Sequence, residues 1–300
     1  MATWARMRNH VTSFSKSKVV RRYINLLLRI LTFTLILSIL LQFILAYIVA
    51  KDPRILPPAL RRAKNLLIVT AHPDDECLFF APAILGVLDG NPDTKGGLLV
   101  LSSGNNYGIG ETRKVELKGS CQALSIDSGR CLALDKPDLQ DNPKVWWDEA
   151  AITAVVKNYV AKWKVDVILT FDSGGVSGHI NHRAVSAAVS HYAATDAKAP
   201  PTYTLTTISL PRKYTFLLDL PLTSLTFSWR IFKALFTPAN VIDDSYQSKA
   251  LIASTWNMYL KTRAAFASHE SQYGWDRNLY MIVSRYVWFN DLRRVDRRPT

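Results

Sequence analysis

Residues 65–76 read NLLIVTAHPDDE, an apolar run that passes directly into polar residues. A short, mainly apolar run such as residues 65–71 is typical of a buried parallel strand. In open parallel sheets, ligands gather beyond the carboxyl ends of the strands. The polar residues 72–76 are therefore expected to lie where such a sheet places its site.

The same change from strand to helix recurs along the chain. Helical patterns begin at about Glu76 and Asn181, and cover residues 112–126 and 146–163. Further strands are expected at residues 97–103, 130–134, 165–171 and 202–210. This alternation predicts an α/β fold, a Rossmann-like, doubly wound and mostly parallel sheet with helices on both faces. One more long helix is expected over residues 244–268.

Residues 30–50, ILTFTLILSILLQFILAYIVA, carry no charged side chain. A helix of this length spans roughly 30 Å, the thickness of a bilayer's hydrocarbon core, which predicts an N-terminal transmembrane helix. A cleaved signal peptide is the alternative, but its apolar region and its basic leader are normally shorter. Basic residues flank both ends of the run, so the positive-inside rule leaves its orientation open.

The net charge of +13 is unevenly distributed. Residues 1–64 hold 12 of the 37 Lys and Arg residues and one acid, Asp52, whereas bases and acids nearly balance beyond them. The excess flanks the hydrophobic run, which indicates that membrane lipids of an anionic surface are the partner and that nucleic acid is not.

Three cysteines, Cys77, Cys121 and Cys131, are too few to suggest a disulfide framework. Unpaired cysteines that pack as small apolar residues are common in reducing compartments. We therefore expect all three to be free thiols.

The polar run after the first strand has the residue types of a metal site. His72 and Asp75 can turn toward one ion and give the mixed nitrogen and oxygen ligation that zinc accepts. Asp74, adjacent but pointing elsewhere, is available as a base. The alternative is that this run forms only a turn and a helix cap.

A second polar run, FDSGGVSGHINH at residues 171–182, follows the strand at 165–171. His179 and His182, three residues apart near a helix start, share one face. The glycines before them permit close approach of the backbone to a ligand. A purely structural role would explain each histidine singly, but not the convergence of three, His72 included, in two strand-end loops. Together the two runs predict a catalytic metal site.

These two runs, with HESQYGW at residues 269–275, resemble the LmbE-like or PIG-L deacetylases over about residues 65–292. They are most similar to the eukaryotic branch that removes the acetyl group from N-acetylglucosaminyl-phosphatidylinositol. The resemblance implies a hydrolase that uses Zn²⁺, or another divalent metal, to release acetate and glucosaminyl-phosphatidylinositol in GPI-anchor biosynthesis. It also implies a glycolipid substrate and a single-pass protein of the endoplasmic reticulum membrane with a cytosolic catalytic domain.

Matched by motif position, the resemblance implies a role for each candidate residue. It makes the zinc ligands His72, Asp75 and His182. It makes Asp74 the general base, and His179 the residue that steadies the reacting oxygen or protonates the leaving amine. Arg113 is implied to contact the substrate, whereas His269 is left without a role.

Two other functions remain open at this stage. A deacetylase of a soluble amino-sugar conjugate would use the same chemistry, but the hydrophobic run at 30–50 argues against it. A catalytically silent membrane scaffold would be favoured by loss of a catalytic residue such as Asp74 or His182, yet both are present.

The sequence divides into a basic segment (1–29), a transmembrane helix (30–50), a linker (51–64), a deacetylase domain (65–292) and a basic tail (293–300). Within the domain, residues 214–238 are strongly apolar, but Asp219, Pro221, Arg230 and Lys233 interrupt them too often for a membrane span. We interpret them as an interfacial lip beside the active site, with Arg230 and Lys233 meeting anionic headgroups. Buried core is the alternative.

Overall fold

The structure is a computed structural model that describes residues 18–239 and 244–297. The predicted basic segment and basic tail therefore lie partly outside the described residues. The strands are β1 Asn65–Thr70, β2 Lys95–Val100, β3 Cys131–Ala133, β4 Val167–Phe171, β5 Thr202–Leu205, β6 Lys249–Ala253 and β7 Phe289–Arg294. The longer helices are α1 Lys18–Phe43, α2 Ala81–Leu88, α3 Gly110–Ala123, α4 Glu149–Trp163, α5 Ile180–Thr195, α6 Ser228–Phe236, α7 Trp256–Ala267 and α8 Trp275–Val283.

The strands form one mixed sheet in the order β3-β2-β1-β4-β5-β7-β6. The first five pair in parallel, whereas β7 runs antiparallel to β5 and to β6. Because β1 pairs with β2 on one side and with β4 on the other, the chain winds away from β1 in both directions. Helices α4 and α5 pack on each other, and α7 packs on α2 and α3. The predicted Rossmann-like, mostly parallel fold is confirmed.

The prediction of one long helix over residues 244–268 is wrong. The structure divides this region into a 3₁₀ turn, strand β6 and helix α7. β6 adds to the sheet edge by pairing with β7, and α7 begins after Thr255, whose hydroxyl accepts a hydrogen bond from the Met258 N–H at 3.2 Å. Pairing with a strand about forty residues away leaves no local periodicity for a sequence pattern to show.

The expectation that all three cysteines are free is also wrong. Cys121, near the end of α3, and Cys131, the first residue of β3, form a disulfide, while Cys77 is free and buried. The intervening turn folds the strand back along the helix and brings the two Cα atoms to 6.3 Å, within the range that a disulfide spans. The disulfide forms because the chain reverses between α3 and β3, which the number of cysteines does not show.

Residues Lys18–Ile48 form a helix that is long and apolar enough to cross a membrane. Its carboxyl end is part of the domain, because Leu45 and Ala46 are buried and the Gln42 amide donates to the carbonyl of Ser254 at 2.7 Å. The predicted linker 51–64 also contributes apolar side chains, including Ile55 and Leu60, to the core. The helix is thus held rigidly against the domain.

Residues 214–238 are partly core and partly surface. Leu217 and Leu220 are buried where this segment packs on α1. The charge that interrupts the segment, Asp219, is buried and accepts hydrogen bonds from Arg285 and Arg212. An apolar segment with an internal, paired carboxylate belongs to the folded domain and does not cross the bilayer.

Helix α6 within this segment is amphipathic. Phe227, which precedes it, and Ile231 are buried, whereas Trp229 and Phe232 are exposed. The expectation that Arg230 meets headgroups is wrong, because its guanidinium is buried and donates to backbone carbonyls, including that of Lys249 at 2.9 Å. The helical period turns Arg230 to the buried face with Ile231, whereas Trp229 and Phe232 lie on the exposed face.

Candidate functional site

The three predicted metal ligands converge at the carboxyl edge of the sheet. Nδ1 of His72 lies 3.2 Å from Nε2 of His182, and that nitrogen lies 3.2 Å from Oδ1 of Asp75. Oδ2 of Asp75 lies 3.9 Å from Nδ1 of His72. Donors around a tetrahedral zinc at about 2.1 Å are separated by roughly 3.4 Å, so this set fits a divalent metal of that size.

The topology explains this convergence. His72 follows β1, and His182 lies in the first turn of α5, after β4, which is paired with β1. Between β4 and α5, Gly175 has a φ of +59°, and a Cβ there would lie 2.8 Å from Cβ of His182. The glycine-rich run thus provides close approach to His182 itself, and a larger residue at 175 would displace this imidazole.

Hydrogen bonds orient both imidazoles. Nδ1 of His182 donates to the carbonyl of Gly175 at 2.9 Å, which leaves its Nε2 lone pair facing the cluster. Nε2 of His72 lies 3.2 Å from Oδ1 of Asp141. Asp141 was missed by the sequence analysis because it sits in an irregular loop before α4 with no recognisable pattern. A carboxylate behind a histidine ligand is a common orienting device in metal sites.

Asp75 is held as a carboxylate despite its burial. Burial by itself would raise its pKa, but the neighbouring imidazole of His182 outweighs that effect and holds the pKa of Asp75 well below its usual range. Oδ2 of Asp75 also accepts the backbone N–H groups of Ala71 and His72, at 3.1 and 2.8 Å. An ionised, preoriented carboxylate is what a metal ligand requires.

Asp74 points away from Asp75 and has an unusual backbone conformation. Its φ of +123° is rare for a side chain-bearing residue, and such strain is often found at functional positions. Burial, with the neighbouring charge of Asp75, raises the pKa of Asp74, and the arginines Arg113 and Arg277 oppose this rise. Its two carboxylate oxygens lie 3.6 Å from Arg113 and 3.8 Å from Arg277. A raised pKa favours a role as proton acceptor.

A buried ion pair supports the backbone at Asp74. Oε2 of Glu76 accepts the Asp74 N–H at 3.0 Å, and its Oε1 lies 2.7 Å from Nε2 of His269. The hydroxyl of Ser120 donates to the same Oε1 at 2.5 Å. His269, left without a role by the sequence, therefore belongs to the structure that fixes Asp74. It lies behind the cleft and is not a member of the ligand cluster.

His179 caps α5 at the mouth of the cluster. Its ring centre lies 4.8 Å from that of His72 and 5.0 Å from that of His182, so it joins them as a neighbour. Its Nδ1 accepts the N–H of Asn181 at 3.3 Å, which leaves the ring proton on Nε2. Burial, with the nearby imidazoles, lowers the pKa of His179 to about 4.

Arg113 is buried beside Asp74, with most of its donors engaged. It donates to the carbonyls of Pro73 and Gly104, and to the side chain of Gln272 at 2.9 Å. These bonds fix the loop that carries Asp74. Arg113 also lines the cleft, so its predicted contact with substrate stays a prediction.

The cluster lies at one end of an open cleft of about 900 Å³. That volume is in the range of sites that take sugars and cofactors. The lining of the cleft also includes basic and apolar side chains at residues 213–214 and on α8: Lys213, Tyr214, Arg277, Leu279 and Tyr280. The cleft thus contains both the carboxylate and imidazole cluster and a cationic and apolar lining.

A Rossmann-like sheet with this carboxylate and imidazole cluster at its switch point defines the class of LmbE-like deacetylases. Comparison with known proteins agrees: the family model PIG-L, GlcNAc-PI de-N-acetylase, matches residues 67–193. The chain is 38% identical to the N-acetylglucosaminyl-phosphatidylinositol de-N-acetylase of Bos taurus, over 75% of this chain and 81% of that protein. It is 31% identical to the enzyme of the same name from Saccharomyces cerevisiae, over 91% of this chain and 98% of that one. The chain belongs to the PIG-L family.

Solved structures show the same fold. An antimicrobial pseudoaglycone deacetylase superposes with a TM-score of 0.52 at 11% identity, covering 79% of this chain and 99% of that one. A deacetylase of the teicoplanin biosynthetic pathway superposes with a TM-score of 0.50 at 11% identity, covering 78% and 98%. At such low identity, these two support the fold alone.

Proposed function

We propose that this protein is a zinc-dependent de-N-acetylase of N-acetylglucosaminyl-phosphatidylinositol, giving glucosaminyl-phosphatidylinositol and acetate for GPI-anchor biosynthesis. The observation that carries the proposal is the convergence of His72, Asp75 and His182 within 3.2–3.9 Å, with Asp74 adjacent in an open cleft. Family membership supplies the substrate, because the two curated relatives above are named for it.

His72, Asp75 and His182 would hold the metal, through two neutral imidazoles and one carboxylate. A zinc ion bound there supplies Lewis acidity, which polarises the acetyl carbonyl and acidifies water. The hydrogen bonds that the imidazoles donate to the carbonyl of Gly175 and the carboxylate of Asp141 keep them in the tautomers that ligation needs. All three side chains line the cleft in which substrate would bind.

Asp74 acts as the proton carrier. It accepts the proton of the attacking water as the water oxygen bonds to the acetyl carbon, and it returns that proton to nitrogen as the C–N bond breaks. His179 steadies the oxygen of the tetrahedral intermediate, because its ring proton is on Nε2. The products, acetate and a free amine, balance the water consumed.

The membrane helix and residues 214–238 hold the cleft at the bilayer surface. The exposed face of this segment carries Leu222, Leu225, Trp229, Phe232 and Phe236. Trp229 stacks on Phe232, and Phe232 contacts Phe236, with ring centres 5.6 and 4.9 Å apart. An exposed aromatic row on a segment that packs against a membrane helix suits insertion at the headgroup depth.

The proposed function is tested by metal removal. Purified full-length protein in detergent should release acetate and a free amine from N-acetylglucosaminyl-phosphatidylinositol. A chelator should abolish the reaction, and Zn²⁺ should restore it, because the ligand set has no other source of Lewis acidity. Free amine formation at an unchanged rate in metal-depleted protein would contradict the zinc mechanism. No release of acetate by metal-loaded protein would contradict the function.

We propose the endoplasmic reticulum membrane as the location, with the catalytic domain cytosolic, on the family resemblance. The Cys121–Cys131 disulfide weighs against this orientation, since disulfides are rare in the cytosol.

Labelling of an added cysteine tests the orientation. Val115 is exposed on α3 and Cys77 is buried, so adding Val115→Cys to a parent that carries Cys121→Ser and Cys131→Ser gives one accessible thiol whether or not the disulfide forms. In sealed microsomes, a membrane-impermeant maleimide should label this variant without detergent and leave the parent unlabelled. Labelling only after permeabilisation would place the domain in the lumen.

A further inference from the structure

A lysine without an acidic partner lies in the cleft, away from the hydrolytic cluster. Lys213 is 6% exposed, and its ammonium lies over the rings of Phe79, Tyr214 and Tyr280, at 5.3, 5.5 and 5.7 Å. Within residues 18–239 and 244–297, none of the ion pairs includes Lys213. Aromatic faces compensate a buried cation only in part.

A neighbouring cation increases the free-energy cost of burying the charged side chain of Lys213. Burial, with the nearby charge of Arg277, lowers the pKa of this lysine. Both side chains line the same cleft, and Arg277 is about two-fifths exposed there. Arg277 has carboxylate neighbours, Asp74 at 3.8 Å and Asp276 at 4.0 Å, so among the described residues Lys213 is the cation of this pair that no carboxylate balances. An anion beside Lys213 would remove the repulsion between the two cations and offset the burial of the lysine.

The position of Lys213 relative to the cluster limits which anion could bind beside it. The ring of Phe79 separates the lysine from the cluster. Its centre lies 5.9 Å from the centre of the His182 ring and 5.3 Å from the ammonium of Lys213. On its other side, Lys213 directly precedes the segment that carries the exposed aromatic row and packs on α1. The lysine therefore lies near the cluster in space and directly before the segment with the exposed aromatic row in the chain.

We propose that Lys213, with Arg277, forms a subsite for the phosphodiester of a glycolipid substrate. This inference rests on the proposed function, which supplies a substrate whose acetamide, inositol, phosphodiester and acyl chains follow in that order. With the acetamide at the cluster and the acyl chains in the bilayer, the phosphodiester falls at the lysine. The subsite sets substrate affinity and takes no part in bond breaking.

Kinetics on two soluble substrates test the subsite. One is a short-chain (dihexanoyl) N-acetylglucosaminyl-phosphatidylinositol, and the other is N-acetylglucosaminyl-inositol, which lacks the phosphate. Lys213→Met should raise KM for the phosphodiester substrate about tenfold, the size expected for one charge-assisted contact, with kcat nearly unchanged. KM for the phosphate-free substrate should stay as in the parent. Lys213→Arg, which keeps the charge, should restore most of the affinity.

A matched control is available outside the cleft. Lys249 also lies over an aromatic ring, that of Phe227 at 4.6 Å, but does not line the cleft. Lys249→Met should leave both KM values unchanged. If Lys213→Met raised KM equally for both substrates, or for neither, the lysine would not bind the phosphodiester and the proposal would be overturned.

An inhibition assay separates this subsite from the function on which it rests. Dihexanoyl phosphatidylinositol, which has no acetamide, should compete with N-acetylglucosaminyl-inositol in the parent and about tenfold less well in Lys213→Met. Inorganic phosphate should compete poorly, and equal competition would assign the site to free phosphate instead. If the lipid substrate is not deacetylated but this lysine-dependent inhibition persists, the proposed substrate is wrong and the anion subsite stands.

Discussion

Asp74→Asn should lower kcat by at least about a hundredfold while the protein keeps its metal, whereas Asp75→Ala should lose both metal and activity. The usual contribution of a general base is about 10²–10⁴-fold. Asparagine matches aspartate in shape and tolerates positive φ, so the backbone and its bond to Glu76 should persist. Asp75 has its carboxylate within 3.9 Å of both ligand imidazoles, so its removal opens the ligand set.

Zinc per chain, acetate release and thermal unfolding, measured on each variant, check this pair of results. Asp276→Asn is the matched control, because Asp276 lines the same cleft but lies outside the cluster, and its activity should stay within about twofold of the parent. If Asp74→Asn kept most of its activity, the assignment of the base would be wrong. If Asp75→Ala kept a full complement of zinc, the ligand set would be wrong.

A thiol introduced at Trp229 or Phe232 should react with an impermeant maleimide at least about tenfold more slowly in lipid nanodiscs than a thiol at Val115. Apolar surroundings disfavour the reactive thiolate and exclude a charged reagent. All three side chains are well exposed in the protein alone, at 62%, 50% and 66%. A difference between them therefore reports the bilayer and not burial in the fold. The full chain is used, because the end of α1 contributes to the core.

The control is the same three variants kept in solution by an amphipathic peptide, without lipid or detergent. All three thiols should then react at similar rates. Phe227 is left unchanged because it is 2% exposed, and its loss would disturb the core. Equal reaction rates at Trp229, Phe232 and Val115 in nanodiscs would show that residues 214–238 face water. The interpretation of this segment as an interfacial lip would then be wrong.

The local sequence was sufficient for the parallel part of the fold. Mainly apolar runs at residues 65–71 and 165–171 became the central pair β1 and β4, because strands buried on both faces need apolar side chains at most positions. The polar residues that follow these two runs became the cluster, because neighbouring parallel strands end at one edge. His72, Asp75 and His182 were predictable for this reason.

Only the tertiary structure supplied the partners that come from distant segments. Asp141 behind His72 and Lys213 in the cleft carry no local pattern, and the motifs that contain Glu76 and His269 do not show that these two residues pair behind Asp74. The same holds for strand β6, the Cys121–Cys131 disulfide and the inward turn of Arg230. Periodicity reports which face of an element is apolar, whereas these features depend on which other element packs against that face.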